Sequence, residues 1–434
     1  MEEKILCNKS DLTNIADCIR MKNGSTDKYK VPEMPDAISA IPSGGGDINP
    51  VSRKDVNFYD YDGTLLHSYT VEEAQALTAL PDLPSHNGLI CQGWNWTLEQ
   101  IKSENSKVNV GAMYTTDDGK TRIYIHLEDG RTSPKLSLGV NGTVIIDWGD
   151  GTTSELTGTN KSTRLFTDSH NYASAGDYVI TLTVSGEMSF LGSQYSSVLC
   201  NDNSSGDINK VYSNAVQKIE IGDSGSAIIG DYAFYYCTSL SNITIPTSVE
   251  YIGLSAFRYC YSLYSVIIPQ AIKTLKVRGY QFCACYSMSC ISIPFGITDV
   301  GAYAFNACYS LSTLSIPSSV KNTYDGSVNS CRSLSSISLS SISTEIKWHT
   351  FVNCSSLSNV VIPKNVIKIG ANAFENCFGV AYYDFSKHTS IPTLGSSAFA
   401  GIASDCKILV PSSLVDAWKS STNWSAYADY IVGV

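Results

Sequence analysis

Charge is what this chain has least of. Only 16% of its 434 residues are charged, and the balance is acidic, with 40 Asp and Glu against 30 Lys and Arg. Phosphate binding needs clustered Lys and Arg, and no basic patch with interleaved aromatics occurs, so a nucleic-acid partner is not expected. No apolar run comes near the roughly 18–20 residues that cross a bilayer, so membrane insertion is not expected either. The start, Met1-Glu2-Glu3-Lys4-Ile5-Leu6-Cys7, is acidic and lacks the apolar core of a secretory signal. Folding in the cytosol is therefore expected, with any extracellular role reached by another route, such as release inside a virion. Histidine is scarce, six in all. No Ser/His/Asp or His-Glu-x-x-His spacing, P-loop or dinucleotide fingerprint occurs. The expectation is a non-enzyme with no cofactor.

What is abundant is tyrosine, 26 residues, within a composition that is 43% hydrophobic. That is enough apolar material for real cores under a surface of Ser, Thr, Asn and Tyr. Tyrosine supplies large contact area at low entropic cost, which suits recognition surfaces.

The 14 cysteines are even in number, but their spacing argues against a disulfide framework. Cys237, Cys260, Cys285, Cys308, Cys331, Cys354 and Cys377 recur at intervals of 23, 25, 23, 23, 23 and 23. A fixed period of this length marks a structural repeat. Cys283, Cys285 and Cys290 are the one group near zinc-ligand spacing, and Cys285 already belongs to the repeat, so no metal is expected there.

One unit reads Ala256-Phe257-Arg258-Tyr259-Cys260-Tyr261-Ser262-Leu263-Tyr264-Ser265-Val266-Ile267-Ile268-Pro269. Leu-x-x-Ile-x-Ile alternates as a short, one-face-buried strand, and Pro ends it because it cannot donate to a ladder. Ala-Phe-x-x-Cys is too short for a stable helix and reads as an inward-packing turn. No unit can bury its Phe, Cys, Leu and Ile alone; stacking at roughly 4.8 Å per coil builds a continuous core. That rise holds successive Cys side by side, whereas a disulfide needs Cβ atoms about 3.8 Å apart and facing. The ladder is expected to stay buried and reduced.

The unit resembles the BspA-type leucine-rich repeat, with its Ala-Phe-x-x-Cys-x-x-Leu and Ile-x-Ile-Pro signature. The resemblance implies a curved solenoid used in adhesion. The tail Val410-Pro411-Ser412-Ser413-Leu414-Val415-Asp416-Ala417-Trp418 looks like the family's C-terminal cap, with Ser412 or Ser413 expected to N-cap a short helix carrying Leu414 and Trp418 on one face.

Upstream, Val144-Ile145-Ile146-Asp147-Trp148-Gly149-Asp150-Gly151-Thr152, then His170-Asn171-Tyr172 and Gly176 to Val184, resembles a PKD-type immunoglobulin-like β-sandwich. Gly149 and Gly151 suit positive-φ turn positions. Asp147 and Asp150 fit a turn-capping role better than a Ca²⁺ site. Between residues 55 and 133, Thr70 with Glu73 and Thr97 with Gln100 have capping-box spacing, and Thr121 to Leu127 reads as a strand between Asp-Gly turns.

One stretch tempts toward catalysis. Val56-Asn57-Phe58-Tyr59-Asp60-Tyr61-Asp62-Gly63-Thr64 is similar to the first motif of haloacid-dehalogenase phosphatases, which implies Asp60 as nucleophile and Asp62 as acid/base beside Mg²⁺. That fold needs a Rossmann-like domain with later motifs, which do not follow. The competing reading is an Asp-Gly hairpin.

Residues 1–42 read as two helical pieces, and Gly44-Gly45-Gly46 as a flexible hinge. Leu12 to Ile41, and the stretch from Val56 to Trp96, resemble segments of structural proteins of phages of Gram-positive gut bacteria. The chain is thus expected to be multidomain and mainly β: a helical anchor (1–42), a Gly-rich linker (43–54), a small α+β spacer domain (55–133), a PKD-like sandwich (134–190), a connecting segment (191–218) and a leucine-rich-repeat solenoid with a helical cap (219–434). The expected role is a virion adhesin on tail or head fibre, anchored to other virion proteins through 1–42 and binding a host-surface protein or glycan through the solenoid. The alternative is a bacterial cell-surface adhesin. The pattern also admits a homo-oligomer. Tyr235, Tyr236, Tyr259, Tyr261, Tyr264, Tyr286 and Tyr309 occupy variable positions near the ladder Cys and are expected to form one aromatic binding patch. The polar strand residues Asn242, Thr244, Thr313 and Ser315 are the alternative binding face.

Overall fold

Residues 55–104, 107–200, 210–225, 227–272, 279–339 and 344–434 are described by a computed structural model. The expectations for the anchor, the linker and the Gly44–Gly46 hinge lie outside the described residues.

Val56–Tyr59 (β1) and Leu65–Tyr69 (β2) pair antiparallel across the Asp-Gly turn. Gly63 takes φ 88° there and its N–H donates to the Asp60 carbonyl at 3.0 Å. Thr70 caps Val71–Gln75 (α1) and Thr97 caps Leu98–Ser103 (α2), each with the reciprocal side-chain bond, from Glu73 and Gln100, that its spacing predicts. Leu89–Trp94 (β3) and Val108–Thr116 (β4) complete a sheet in the order β2-β1-β4-β3, with β1 and β4 parallel. Phe58, Trp94, Trp96, Ile101, Val110 and Tyr114 form its core.

A second sheet joins regions that the sequence reading separates. Thr121–Leu127 (β5), Lys135–Asp147 (β6), Thr153–Phe166 (β7) and Gly176–Phe190 (β8) lie in one sheet with Leu199–Cys200 (β9), Val216–Glu220 (β10), Ala227–Ile229 (β11) and Asn242–Thr244 (β12). The three strands expected to build a separate two-layer sandwich over 134–190, β6 to β8, therefore lie side by side in a single layer. The physical reason is the partner of β8: its edge is taken by β5 over Thr121 to Leu127, and β5 pairs in turn with β10, the first solenoid strand. The expected boundaries after 133 and 190 both fall inside this sheet. At the Trp148 turn the glycines are left-handed as expected, with φ 80° and 89°. Asp147 accepts the Gly149 N–H at 2.9 Å and Asp150 the Thr152 N–H at 3.0 Å, so both carboxylates cap the turn.

From β10 onward the chain stacks coil on coil. Ser265–Ile267 (β13) pairs parallel with Cys290–Ser292 (β14), and Thr313–Leu314 with Ser336–Ile337, each one repeat apart. Phe rings run through the core as a column that starts on the sheet: Phe190 meets Phe234 at 5.2 Å, then Phe257, Phe282 and Phe305 follow at 5.3–5.8 Å. Val328 interrupts it, and Phe351, Phe374 and Phe399 resume it up to Trp424. The cap differs in one respect from expectation. Ser412 and Ser413 lie inside a 3₁₀ turn, Ser412–Leu414, and neither caps the helix Val415–Ser420; Ser412 Oγ instead donates to the Val434 carbonyl at 3.2 Å. Trp418 is fully buried against Phe385 and Trp424.

The cysteine ladder is buried, and no disulfide forms among the described cysteines. Each thiol from Cys260 on donates to a carbonyl one coil back: Cys260 to Phe234, Cys285 to Phe257, Cys308 to Phe282, Cys331 to Phe305, Cys354 to Val328 and Cys377 to Phe351, all at 3.1–3.2 Å. Burial pushes Cys237 and Cys377 up to about 12. Thiolate is the reactive form. In a thiol titration of native protein, exposed Cys91 should react while ladder thiols wait for denaturant; fast native reaction of several ladder thiols would contradict the packing. The same shift sets an alkaline limit. An unfolded thiol loses its proton near pH 8.5–9, while the folded one keeps it until the pH is far higher. Stability should therefore be intact below about pH 8.5 and fall as pH rises from there, as urea midpoints at pH 7 and 10 would report.

The spacer sheet lies on the strand face of the first coils. Asn95, fully buried, donates from Nδ2 to the Ile268 carbonyl and the Ser292 hydroxyl, each at 2.9 Å. Its Oδ1 accepts the Gly111 N–H at 2.7 Å. Trp96 Nε1 donates to the Ile293 carbonyl at 3.0 Å. Ser292 Oγ donates to the Asn109 carbonyl and Ser315 Oγ to that of Lys107. Gly111 is a glycine because a Cβ there would stand 2.4 Å from Ile267 Cδ1. Thr244 and Ser315 are consequently only 2% and 1% exposed, and Thr313 receives Asn109 Nδ2. Of the alternative binding face expected at Asn242, Thr244, Thr313 and Ser315, Thr313 and Ser315 are engaged by the spacer, while Asn242 Oδ1 and Thr244 Oγ1 are buried with no hydrogen-bond partner among the described residues, so polar strand residues that look solvent-facing in sequence lie inside the molecule.

Candidate functional site

The Ala-Phe-x-x-Cys turns build a ridge of half-buried side chains. In every unit from Cys237 to Cys377 the residue five places before the ladder Cys and the residue one place before it are left-handed, with φ between 52° and 67°. The conformation aims their N–H groups along the solenoid: Tyr232 donates to the Leu254 carbonyl, Tyr236 to Arg258, Tyr259 to Cys283 and Tyr280 to Ala302, at 2.9–3.0 Å. These inter-coil bonds offset a local cost of about 1–2 kcal/mol for each non-glycine residue held left-handed. Asn and Gly tolerate that region best. The later coils use them at four of six such positions, Gly326, Asn353, Asn372 and Asn376, beside Ser330 and His349; the early coils use Tyr232, Tyr236, Tyr259, Tyr280 and Tyr303, beside Ser255, Ala284 and Ala307.

The rings are organised in columns. Tyr261, Tyr286 and Tyr309, each one place after a ladder Cys, stack at 4.6 and 4.8 Å with planes within 8°. The Arg332 guanidinium closes that stack 4.7 Å above Tyr309. Tyr280 and Tyr303 stack at 5.1 Å in a second column. Tyr235, Tyr236 and Tyr259 form a cluster at the sheet end, 4.4–5.6 Å apart. Arg258 lies 4.7 Å over both Tyr259 and Tyr280 and donates to the Tyr259 hydroxyl at 2.9 Å, linking cluster to column. Burial, and then the neighbouring Tyr286, push Tyr261 up to about 12. The chain order puts small Ala284 and Ala307 between the columns, flanked by Tyr280 and Tyr303 on one side and Tyr286 and Tyr309 on the other. Because the column faces are spent on one another, ring edges and hydroxyls are what remains for a partner.

Six of the seven tyrosines singled out from sequence join this network. Tyr264 does not: it sits at the strand, 49% exposed, with its ring against the Gly63 turn. Tyr232, Tyr280, Tyr303, Arg258 and Arg332 were missed, although tyrosine recurs five places before Cys237, Cys285 and Cys308. Asp60 and Asp62 are each engaged within the hairpin. Asp60 is buried, accepts the Tyr61 N–H and meets His86 Nε2 at 2.8 Å, and Asp62 accepts the Thr64 N–H, so both serve the hairpin. Among the described residues no group of three His, Cys, Asp or Glu could hold a metal ion, and Cys283 instead accepts from Asn306 Nδ2.

Comparison with known proteins returns the repeat. The model of the BspA type leucine-rich-repeat region matches in six copies over residues 181–283, 208–333 and 275–405, together more than half of the chain. No curated protein matches. Among solved structures, a leucine-rich-repeat protein of T. pallidum is 27% identical over 37% of this chain and 74% of its own, with TM-score 0.34. One from Bacteroides ovatus is 22% identical over 45% and 59%, with TM-score 0.31. A leucine-rich cell-surface protein of Faecalibacterium prausnitzii is 21% identical over 45% and 72%, with TM-score 0.23. The repeat match, rather than these superpositions, carries the assignment.

Proposed function

This chain belongs to the BspA-type leucine-rich-repeat family, and from that premise we propose that it is a non-enzymatic adhesin which recognises a surface protein or glycan through its tyrosine ridge. The observation that carries the reading is the choice of tyrosine at five left-handed turn positions of the early coils, where later coils of the same solenoid use Asn, Gly, Ser or His. The turn does not require an aromatic there, and strain kept at a specific position points to a function for the side chain. The strand face of the first coils supports the same reading from the other direction, because Asn95, Trp96 and Asn109 already engage it. We further propose display on a phage virion through residues 1–42, on the resemblance of that segment to phage structural proteins; display on a bacterial surface is the alternative. Immunogold labelling with antibody to the solenoid tests this: gold on purified virions is the expected result, and gold only on the bacterial envelope would overturn the virion assignment.

A further inference from the structure

A cavity of about 380 Å³ lies where β7 and β8 meet the first coil, beside the turn that carries Tyr232. Its wall includes Lys161 and Arg164 of β7, Ser189 of β8, and Asp231 and Tyr251 of the solenoid. Arg164 is the unusual member. Its guanidinium is half-buried, lies 4.6 Å over the Phe166 ring, and bonds only to hydroxyls, Nε to Ser137 Oγ and Nη2 to Ser196 Oγ, each at 2.5 Å. Among the described residues no carboxylate pairs with it. Burial is the larger influence on its basicity and lowers it, with the Cys200 thiol acting the other way to a lesser degree. An uncompensated cation taken out of water is costly unless a counter-ion arrives, and the guanidinium fork suits a carboxylate. By contrast, Lys161 is neutralised by Glu187 at 2.6 Å.

A second, independent feature lies in the wall of the same space. Ser189 is 1% exposed and its hydroxyl has no hydrogen-bond partner among the described residues, which a buried polar group rarely tolerates. Asp231 uses Oδ1 for the Leu254 N–H, at 2.8 Å, and the Tyr251 hydroxyl, at 3.3 Å, with no donor to Oδ2 among the described residues. The cavity thus offers one unmatched positive charge, one hydroxyl lacking a partner and one carboxylate oxygen lacking a donor. The volume is within the range of small-molecule sites. A phosphate dianion would meet the Asp231 carboxylate, whereas a singly charged, hydroxyl-rich ligand satisfies all three groups.

We propose that this cavity binds a carboxylate-bearing sugar, with Arg164 holding the carboxylate and Ser189 and Asp231 engaging ring hydroxyls. The test is a titration of the full chain with glucuronate, glucose and inorganic phosphate, read by saturation-transfer NMR. Saturable glucuronate binding at least tenfold tighter than glucose or phosphate is expected, with a tenfold or greater loss in Arg164→Gln. Ser189→Ala, which removes a hydroxyl that has no partner to strand, should weaken glucuronate severalfold at unchanged melting temperature and so keeps the test sound if Arg164→Gln folds poorly. Tyr286→Ser and Tyr309→Ser, on ridge coils that contribute no cavity residue, should leave it unchanged. Absence of saturable glucuronate binding, tighter binding of phosphate, or full binding by both variants would overturn the assignment.

Discussion

Asn95→Leu should loosen the spacer sheet from the solenoid and lower the stability of the fold by about 4 kcal/mol, one of the largest single-residue effects expected here. Leucine is close in volume, so the loss is polar. The substitution strands the Ile268 carbonyl and the Gly111 N–H and removes the Nδ2 bond to the Ser292 hydroxyl, in a seam where Asn95 is 0% exposed. Each buried group left unpaired costs about 1–3 kcal/mol. Hydrogen exchange should quicken over residues 89–116 and over Ser265 to Ile293, and stay slow at the far cap around Trp418 and Trp424. A change in urea midpoint no larger than a surface substitution gives would mean that the spacer merely rests on the strand face.

Phe282→Ala should cost about 3–5 kcal/mol. Its ring is fully buried and stacks between Phe257 at 5.3 Å and Phe305 at 5.8 Å. Solenoid stability is close to a sum of coil and nearest-neighbour terms, so a cavity in mid-column should also split thermal unfolding between the sheet-side and cap-side coils. Val328→Ala, at the existing gap in the column, should cost clearly less. Equal losses at the two sites would show that the ring column contributes no more than any other buried apolar side chain.

These expectations divide along a line that also separates what was legible in the sequence from what was not. The ladder Cys, the strand residues and both capping boxes were readable because each depends on spacing over fewer than about thirty residues, or on a fixed repeat of such a span. The seam was not. Asn95 reaches Ser292 across 197 positions, and nothing local distinguishes Asn109, Ser292 or Ser315 from solvent-facing polar residues. The sandwich expectation missed for the same reason: β8 satisfies its edge with β5, which turn signals alone assign to the preceding region. The ridge was partly legible. Tyrosines beside the Cys were evident, but the left-handed positions and the role of Arg258 as a link between ring groups depend on turn geometry that composition does not carry.

The coil around Cys354 supplies the control for the central claim, because it carries Asn353 and Ser355 where earlier coils carry tyrosine, on the same turn. Transplanting that choice as Tyr259→Asn, Tyr261→Ser, Tyr286→Ser and Tyr309→Ser removes the stacked column and one strained ring without asking the backbone to change. Lost ring contacts of about 0.5–1.5 kcal/mol each are partly offset by the relief at position 259, so the folded state should survive with a modestly lower melting temperature. Attachment of the purified chain to host cells, measured beside unmodified protein at equal folded concentration, is then the deciding measurement. The account predicts that binding falls at least a hundredfold while far-ultraviolet circular dichroism is unchanged; a folded variant that attaches as well as the original would contradict it and place recognition elsewhere on the chain.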